Sequence, residues 1–369
     1  MSFLACTPTV FVIGDLYEIL IYASAPGLFS LRVGDETYYE ESSGVLSSAN
    51  TFVKIRVPQA ALDAAGEYEV IYRKTILRRA YFSQFEDAES ATFSFRPVPS
   101  EGEIHIYYTA DVHYHFATAE RTVTYFGDKL DLLIANGDLG EVEKEEDYLD
   151  VCRFLGNATG GHVPVVMARG NHDTRGRLAE RFTDYFPADG KKTYFTFTLP
   201  ALSGIVLDCG EDKWDNHEEY GGGHNGALVY NGSNIFERYR REETAFLRAL
   251  ELPKDRPLIA ISHISPAITT SKKGDIFDIE RETYAEWNRE LARLGVDVML
   301  SGHLHKTFVL LPGDERSTSP ATYPVIVGSA MTYSGDTIVG TAITLRRDGL
   351  TYQFTNQDHA VLEEGEIRF

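Results

Sequence analysis

Residues 163–173 read Val-Pro-Val-Val-Met-Ala-Arg-Gly-Asn-His-Asp, and they show the organisation of the chain in a short space. The first six residues form an apolar run of the length of a buried strand. The run ends in the polar group Gly170-Asn171-His172-Asp173. Ligands of open α/β sheets bind outside the carboxyl ends of the strands, so this stretch predicts a strand that carries polar side chains to such an edge.

Four other apolar runs end in the same manner. They are residues 104–109, followed by Asp111 and His113; 130–135, followed by Asp138; 258–261, followed by His263; and 296–300, followed by His303 and His305. Segments with apolar residues at spacings of three and four lie between many of the runs, at 119–129, 143–155, 175–185, 236–250 and 281–294. Alternation of buried strands with amphipathic helices predicts a layered α/β domain.

The first hundred residues have a different rhythm. Short runs rich in Val, Ile, Tyr and Phe, broken by Gly, Pro, Asp and Ser, occur at 9–13, 18–22, 29–33, 52–57, 67–72 and 91–95. This rhythm predicts a small all-β sandwich of the immunoglobulin or fibronectin kind over residues 1–98. The proline-containing stretch 97–102 is the expected linker, and the α/β domain is expected over 103–369, with a hairpin at 340–355 that turns at Asp348-Gly349.

Composition limits the partners of the chain. Of its 369 residues, 43% are hydrophobic and 24% are charged, and the net charge is −20. Such an acidic surface repels phosphate backbones, so nucleic acid is not expected as a partner. No membrane partner and no secretory signal are expected, because no long apolar span and no basic start are found. Cys6, Cys152 and Cys209 form no disulfide pattern, and a cytoplasmic location is the resulting expectation.

The polar residues at the strand ends have a common chemistry. Each fragment alone occurs by chance, but five in order, all after apolar runs, are hard to attribute to chance. The candidate ligands are Asp111, His113, Asp138, Asn171, His263, His303 and His305. Carboxylate, imidazole and amide groups without a thiolate suit divalent Mn, Fe, Zn, Ni or Co. Seven ligands exceed the needs of one ion, so two ions that share a carboxylate are predicted.

The ordered set resembles the five-block signature of the calcineurin-like metallophosphoesterase superfamily. The resemblance covers residues 103 to 330 or beyond, and it implies a four-layer α/β/β/α sandwich that hydrolyses phosphoesters at two divalent ions, with Mn, Fe or Zn favoured. By this resemblance one ion is held by Asp111, His113 and His305, the other by Asn171, His263 and His303, and Asp138 bridges the pair. An activated hydroxide between the ions would then be the nucleophile.

The same resemblance gives His172 the role of stabilising phosphate oxygens and protonating the leaving group. Asp173 is expected to orient His172. An alternative interpretation of Asp173 is an ordinary N-cap for a helix over 175–185, and the two roles are compatible.

The order of a β-domain and a phosphoesterase domain is similar to that of purple acid phosphatases. Those enzymes carry an iron-binding tyrosine three residues after the bridging Asp, where this chain has Glu141, and a Glu where it has Asp173. A colourless enzyme with a divalent or redox-inert metal pair is therefore expected. The loop 209–234, which contains the fragment Gly210-Glu211-Asp212-Lys213, is interpreted either as a cover of the metal site or as a solvated excursion.

Several functions fit the sequence. A phosphatase or phosphodiesterase acting on a small phosphoester comes first, and a protein phosphatase is an alternative, whereas the acidic surface counts against a nuclease. A non-catalytic interaction scaffold of the same fold is the alternative from another class, although every expected ligand and His172 are kept. For the β-sandwich, packing, binding and dimerisation all stay open.

Overall fold

The computed structural model describes residues 3–40, 44–215, 233–268, 281–319 and 321–369. The strands are β1 Thr9–Ile13, β2 Leu16–Tyr22, β3 Gly27–Val33, β4 Glu36–Tyr38, β5 Phe52–Pro58, β6 Glu67–Leu77, β7 Gln84–Phe85, β8 Glu89–Ser94, β9 Ile104–Thr109, β10 Leu132–Asn136, β11 Pro164–Ala168, β12 Phe195–Leu199, β13 Leu202–Leu207, β14 Leu258–Ser262, β15 Val298–Ser301, β16 Lys306–Leu310, β17 Val325–Met331, β18 Ile338–Arg346, β19 Gly349–Asn356 and β20 Val361–Arg368. The α-helices are α1 Gln59–Ala65, α2 Phe116–Val123, α3 Glu145–Thr159, α4 Phe182–Tyr185, α5 Phe236–Ala249 and α6 Arg281–Leu294, and 3₁₀ turns lie at Thr124–Lys129, His172–Thr174 and Ala179–Arg181.

Two β-sheets lie face to face at the centre of the molecule. One has the order β5-β2-β1-β11-β10-β9-β18-β19-β20, the other β12-β13-β14-β15-β17-β16, and β17 connects them by pairing with both β15 and β18. Apolar side chains from both sheets form the core between them. Helices α2 and α3 cover the outer face of the first sheet, and α5 and α6 cover that of the second. The predicted four-layer α/β/β/α architecture is confirmed.

A separate five-stranded antiparallel sheet, β4-β3-β6-β7 with β8 on β6, lies in the N-terminal part, as the sequence predicts. The other N-terminal strands do not belong to it. Strand β1 pairs in parallel with β11, and β2 and β5 follow it, so these three extend the edge of the α/β sheet. One face of the N-terminal sandwich is thus continuous with the sheet that carries the polar strand ends, while the predicted domain boundary at 98–103 stays a prediction.

Charged side chains also connect this extension to the remainder of the fold. Lys54 on β5 donates to the carbonyl oxygens of Thr183 and Phe186 at 2.9 and 2.8 Å, and pairs with the buried carboxylate of Glu18 at 3.1 Å. Arg56, two residues on, donates to the carbonyl of Ala188 at 3.0 Å. A lysine almost always needs such partners when it is largely buried, so these contacts fix the extension in place.

The predicted helix over 175–185 is wrong. Only the 3₁₀ turn Ala179–Arg181 and the single turn α4 occur in that stretch. Its backbone bonds to a neighbouring loop instead: Val142 N–H donates to the carbonyl of Arg175 at 3.2 Å, and Leu178 N–H donates to that of Val142 at 3.0 Å. The hairpin of β18 and β19 is confirmed. Among the described residues, no helix combines the length and the apolar character that crossing a bilayer requires.

Candidate metal centre

The polar strand ends of the two sheets meet at one edge of the molecule. In the first sheet β9, β10 and β11 run parallel, and in the second β14 and β15 do. The residues that follow these strands are Asp111, His113, Asp138, Asn171, His172, His263, His303 and His305. Parallel strands deliver their carboxyl ends to the same edge, which is why residues spread over nearly two hundred positions become neighbours.

The backbone at this edge adopts an uncommon conformation. Of the eight non-glycine residues with positive φ in the described part of the chain, six lie here, with φ between 44° and 68°. They are Asp111, His113, Tyr114, Asp138, His303 and His305. Left-handed conformations disfavour residues with a Cβ and persist where the surroundings enforce them, so their concentration marks a functional edge.

Two glycines allow the loops to approach each other closely. Gly137, at φ +79°, faces the backbone of Gly170, and a Cβ on Gly170 would overlap the carboxylate of Asp138. The side chain of Asp138 therefore lies directly against the loop that carries Asn171 and His172, and the amide of His172 donates to Asp138 Oδ1 at 2.7 Å. Any larger residue at either glycine would separate these two loops.

Imidazole and carboxylate groups crowd together in the centre of the site. His113 Nε2 lies 3.2 Å from His305 Nε2 and 3.8 Å from Asp138 Oδ2. His305 Nε2 lies 3.5 Å from Asp111 Oδ1. Three groups of side chains place a ligand atom of each member within 4.8 Å of the others: Asp111, His113 and His305; Asp138, His263 and His303; and His113, Asp138 and His172. Asp138 and His113 each belong to two of these groups, and Asp138 is the carboxylate that connects the side of the site with His263 and His303 to the side with His113.

His263 is oriented toward the carboxylates by a backbone partner. Its Nδ1 lies 2.6 Å from the carbonyl oxygen of Asn136, to which it donates, so Nε2 is the ring nitrogen that faces the cluster. Nε2 is 3.1 Å from Asp138 Oδ2 and 3.7 Å from Asp111 Oδ1, yet it is buried without a hydrogen bond among the described residues. A backbone carbonyl on the second nitrogen is the usual partner of a metal-binding histidine, so these residues fit divalent cations.

The buried carboxylates of Asp111 and Asp138 have histidines, and no arginine or lysine, as ion-pair partners among the described residues. Burial lowers the pKa of His263, but the carboxylates of Asp138 and Asp111 outweigh it and raise the pKa to about 10. Burial likewise raises the pKa of Asp138, yet the charge of His263 holds it well below its usual range. For His303, burial dominates and lowers the pKa to about 4. The two buried carboxylates therefore favour a positive charge beside Nε2 of His263, and a bound cation would supply it.

A hydroxyl and a backbone amide behind the site hold the carboxylate of Asp111. The hydroxyl of Ser329 on β17 donates to Asp111 Oδ2, and the amide of His303 donates to Asp111 at 3.0 Å. His303 Nδ1 lies 3.0 Å from Asn171 Oδ1, so the amide of Asn171 faces the second set of ligands. The support from Ser329 was not predicted, because no motif marks a serine on a distant strand.

His172 lies at the rim of the cluster and is partly exposed. Its ring is perpendicular to that of His113 at 4.6 Å between centroids. His172 Nδ1 donates to Glu141 Oε1 at 2.9 Å, and Arg175 Nη1 lies 3.0 Å from Nε2. The carboxylate that orients His172 is therefore Glu141.

Asp173 does not contact the ring of His172. Its carboxylate accepts hydrogen bonds from the backbone amides of Asp138 and Gly170, both at 2.8 Å, and from Leu139 at 3.3 Å. Burial raises the pKa of Asp173 to about 7, and the neighbouring Asp138 adds to the shift. The residue joins the two ligand loops from behind, and the predicted N-cap role is wrong because the helix over 175–185 is absent.

Part of the loop 209–234 reaches the site. Arg175 binds Glu211 through two contacts, Nε to Oε2 at 2.8 Å and Nη2 to Oε1 at 2.6 Å, and Asp212 at 3.1 Å. The start of the loop is thereby connected to the guanidinium beside His172. Residues 216–232, on which the prediction of a cover depends, lie outside the described residues. Arg175 itself was missed, since an arginine three residues after a histidine carries no signal on its own.

Two sheets between helical layers, with Asp, Asn and His at a shared carboxyl edge, define the class of α/β metallophosphoesterases. A family model described as calcineurin-like phosphoesterase matches residues 104–307, more than half of the chain. The protein therefore belongs to the calcineurin-like phosphoesterase family, whose members typically bind two metal ions. No curated protein sequence matches the chain significantly.

Solved structures show the same fold at low sequence identity. The purple acid phosphatase PPD1 from seeds of yellow lupin (Lupinus luteus) is 10% identical with a TM-score of 0.60, covering 99% of this chain and 75% of the lupin chain. PhoD is 11% identical with a TM-score of 0.58, covering 100% of this chain and 89% of that one. Both matches extend through the N-terminal strands, which supports the architecture described above.

Proposed function

We propose that the protein hydrolyses phosphoesters with the help of two divalent metal ions, and that its substrate is a small molecule. The position of Asp138 carries this proposal, because its carboxylate belongs at once to a group with His113 and to a group with His263 and His303. A shared carboxylate is the ligand by which two-metal sites hold both ions. Family membership gives the reaction class.

The donor set indicates which ions would bind. Asp111, His113 and His305 would hold one ion, Asn171, His263 and His303 the other, and Asp138 both. Oxygen and imidazole donors without thiolate favour Mn, Fe or Zn. When bound, such ions neutralise phosphoryl oxygens and make water acidic enough to ionise near neutral pH.

His172 is proposed as the general acid. Because Nδ1 donates to Glu141, Nε2 is the ring nitrogen left for an incoming ester, which would have to displace Arg175 Nη1 from its position 3.0 Å from Nε2. As a water oxygen bonds to phosphorus and the bond to the leaving oxygen breaks, His172 in its imidazolium form would give the Nε2 proton to that oxygen and would be left neutral, with its remaining proton on Nδ1 facing Glu141. Glu141 fixes the tautomer and orientation of the ring, and Arg175 lies against its other side.

The identity of residue 141 also affects which metal ions are expected. At this position a carboxylate contacts His172, so a tyrosinate ligand of the purple acid phosphatase kind is not supplied from here. We expect a colourless enzyme with divalent or redox-inert ions. A visible absorption band of iron–tyrosinate type would overturn this part of the proposal.

Turnover of p-nitrophenyl phosphate and bis-p-nitrophenyl phosphate, measured after stripping the protein and re-adding Mn, Zn, Fe or Ni, tests the proposal. Restored hydrolysis of either ester with at least one metal is the expected result, and the ratio of the two rates separates monoesterase from diesterase action. Binding of metal without turnover of any ester would favour the alternative, a non-catalytic interaction scaffold. Turnover confined to phosphorylated proteins would favour a protein phosphatase.

A further inference from the structure

The hairpin of β6 and β7 projects from the N-terminal sheet. Strand β6 pairs with β3 only as far as Lys74 and with β8 only as far as Tyr72. Beyond these residues its partner is the two-residue strand β7, which it meets at Thr75 and Leu77. A two-stranded projection is marginally stable by itself, and this one is connected to the body at its base, where Thr75 donates to the carbonyl oxygens of Ser48 at 2.7 Å and Pro26 at 2.9 Å.

Large apolar side chains are concentrated at the end of this projection. Tyr81 is 80% exposed and Phe82 is 90% exposed, and Ile76 and Leu77 on β6 are 59% and 38% exposed. The loop that presents the aromatic pair is closed, because the hydroxyl of Ser83 bonds to both the amide and the carbonyl of Arg79 at 3.0 Å. Contiguous exposed apolar residues of this kind mark an interaction site. We call residues 73–85 the hairpin tip.

The charge of the hairpin tip is opposite to that of the chain. It contains Arg73, Lys74, Arg78 and Arg79 and neither Asp nor Glu, within a chain of net charge −20. Lys74 is paired with Glu86 at 3.2 Å, whereas Arg78 contacts only the hydroxyl of Ser48 and no ion pair of Arg79 is found in the described part of the chain. Arg79, beside two exposed aromatic rings, therefore faces solvent, whereas the guanidinium of Arg78 lies against Ser48.

We propose that the hairpin tip binds the surface of a bilayer that contains anionic lipids. Tyr81 and Phe82 would enter the headgroup region, where aromatic side chains are favoured, and Arg79 would bind lipid phosphates. The sequence predicts no membrane partner because it lacks a spanning segment, but peripheral contact needs no span.

The shape of the hairpin tip favours a bilayer over a protein partner. Stable protein interfaces bury about 800 Å² on each side, more than the end of one narrow hairpin offers, whereas a bilayer admits a convex projection.

Sedimentation with unilamellar vesicles tests the proposal on the full chain. We expect binding to phosphatidylcholine vesicles that contain about 30 mol% phosphatidylserine, release at about 0.5 M NaCl, and little binding to pure phosphatidylcholine. The double variant Tyr81→Ser/Phe82→Ser should lose at least about tenfold in vesicle affinity, and Arg79→Glu should lose affinity for anionic vesicles.

The control is Val361→Ser/Leu362→Ser, which removes two adjacent exposed apolar residues beside Glu363 and Glu364 and should bind vesicles as the wild type does. Equal melting temperatures of all variants would show that they fold. Failure of the wild type to bind anionic vesicles, or undiminished binding by the aromatic double variant, would overturn the proposal. Conversion of a wild-type oligomer to monomers by that variant, without vesicle binding, would also overturn it and assign the tip to a second copy of the chain. Hydrolysis of soluble esters is independent of each outcome.

Discussion

Two groups of buried carboxylates lie side by side at the carboxyl edge and are balanced in different ways. In the imidazole cluster, the ion-pair partners of Asp111 and Asp138 among the described residues are histidines. In the arginine cluster, Arg169 pairs with the fully buried Asp208 at 2.7 Å, and Arg175 pairs with Glu211 and Asp212. Histidine gives up its proton near neutral pH and arginine does not.

This difference separates a structural charge network from a cation site. The arginine cluster carries its own positive charge, so it is complete without a ligand. The imidazole cluster has two buried carboxylates with no arginine or lysine paired to them among the described residues, and ring nitrogens of its histidines lie within 4.8 Å of them. Burial of carboxylates without fixed positive charge is costly, so we expect the imidazole cluster to depend on metal and the arginine cluster not to.

Asp138→Asn should have the largest effect. Loss of the shared carboxylate is expected to reduce bound metal from two ions per chain to one or fewer and to lower kcat/KM by at least about 10³-fold. Metal content by inductively coupled plasma mass spectrometry and ester turnover check this. Two ions still bound in the variant would contradict the shared role.

The matched control is Asp208→Asn, an equally buried carboxylate that faces arginine. It should keep both ions, since Asp208 contacts no member of the imidazole cluster, but it should lose about 3–5 kcal/mol of unfolding free energy because Arg169 is left unpaired. Chemical denaturation measures this loss. Loss of metal with unchanged stability would remove the distinction between the clusters.

His172→Ala tests the histidine that lies between the two clusters. We expect kcat to fall by about 10²–10⁴-fold on esters with poor leaving groups and much less on p-nitrophenyl esters, because a good leaving group needs no proton. Glu141→Gln, which keeps the ring but weakens its partner, should cost about 10-fold. Equal kcat for the wild type and the alanine variant on an alkyl phosphate would exclude the acid role.

Metal addition should raise the melting temperature. An ion at about 100 times its dissociation constant stabilises the folded state by about 2.7 kcal/mol, so stripped protein should gain a few degrees on addition of Mn or Zn. The gain should persist in Asp208→Asn and be reduced in Asp138→Asn. An unchanged melting temperature in the wild type would indicate that the imidazole cluster is stable without cations.

Asp212→Asn should show the smallest effect, visible in the pH dependence of stability. Burial and the neighbouring Glu211 raise the pKa of Asp212 from 3.8 to about 7. Between these values the unfolded chain is ionised and the folded chain keeps the proton, so wild-type stability from this group falls as pH rises and stays low above pH 7.

Removal of the titrating carboxyl abolishes that loss. The melting temperature of Asp212→Asn relative to the wild type should therefore rise from pH 4 to pH 7 and then level off, by the equivalent of about 1 kcal/mol. Differential scanning calorimetry at constant ionic strength measures it. A relative melting temperature that falls with pH would contradict the raised pKa.

Local patterns in the sequence were sufficient for much of the fold. Helix α6 and strand β1 have the bounds that periodicity predicts. The sequence analysis did not predict that β1 pairs with β11. In the structure Thr9–Ile13 is buried on both faces, which is typical of a strand inside a larger sheet. No continuous helix forms over 175–185, because backbone groups of this stretch form hydrogen bonds with Val142 in a neighbouring loop. No local sequence pattern could indicate that partner.

The candidate ligands were visible in one dimension because each follows an apolar run, and run length and chain order are properties of the sequence alone. The packing of distant loops decided which carboxylates pair with arginine and which face imidazole. It also decided that Glu141, and not Asp173, contacts His172. Coulomb energies fall off with separation in space, and separation along the chain does not report it. The sequence alone therefore determined which side chains could act as ligands. Their division into an ion-pair network and a cation site arose only from the tertiary fold.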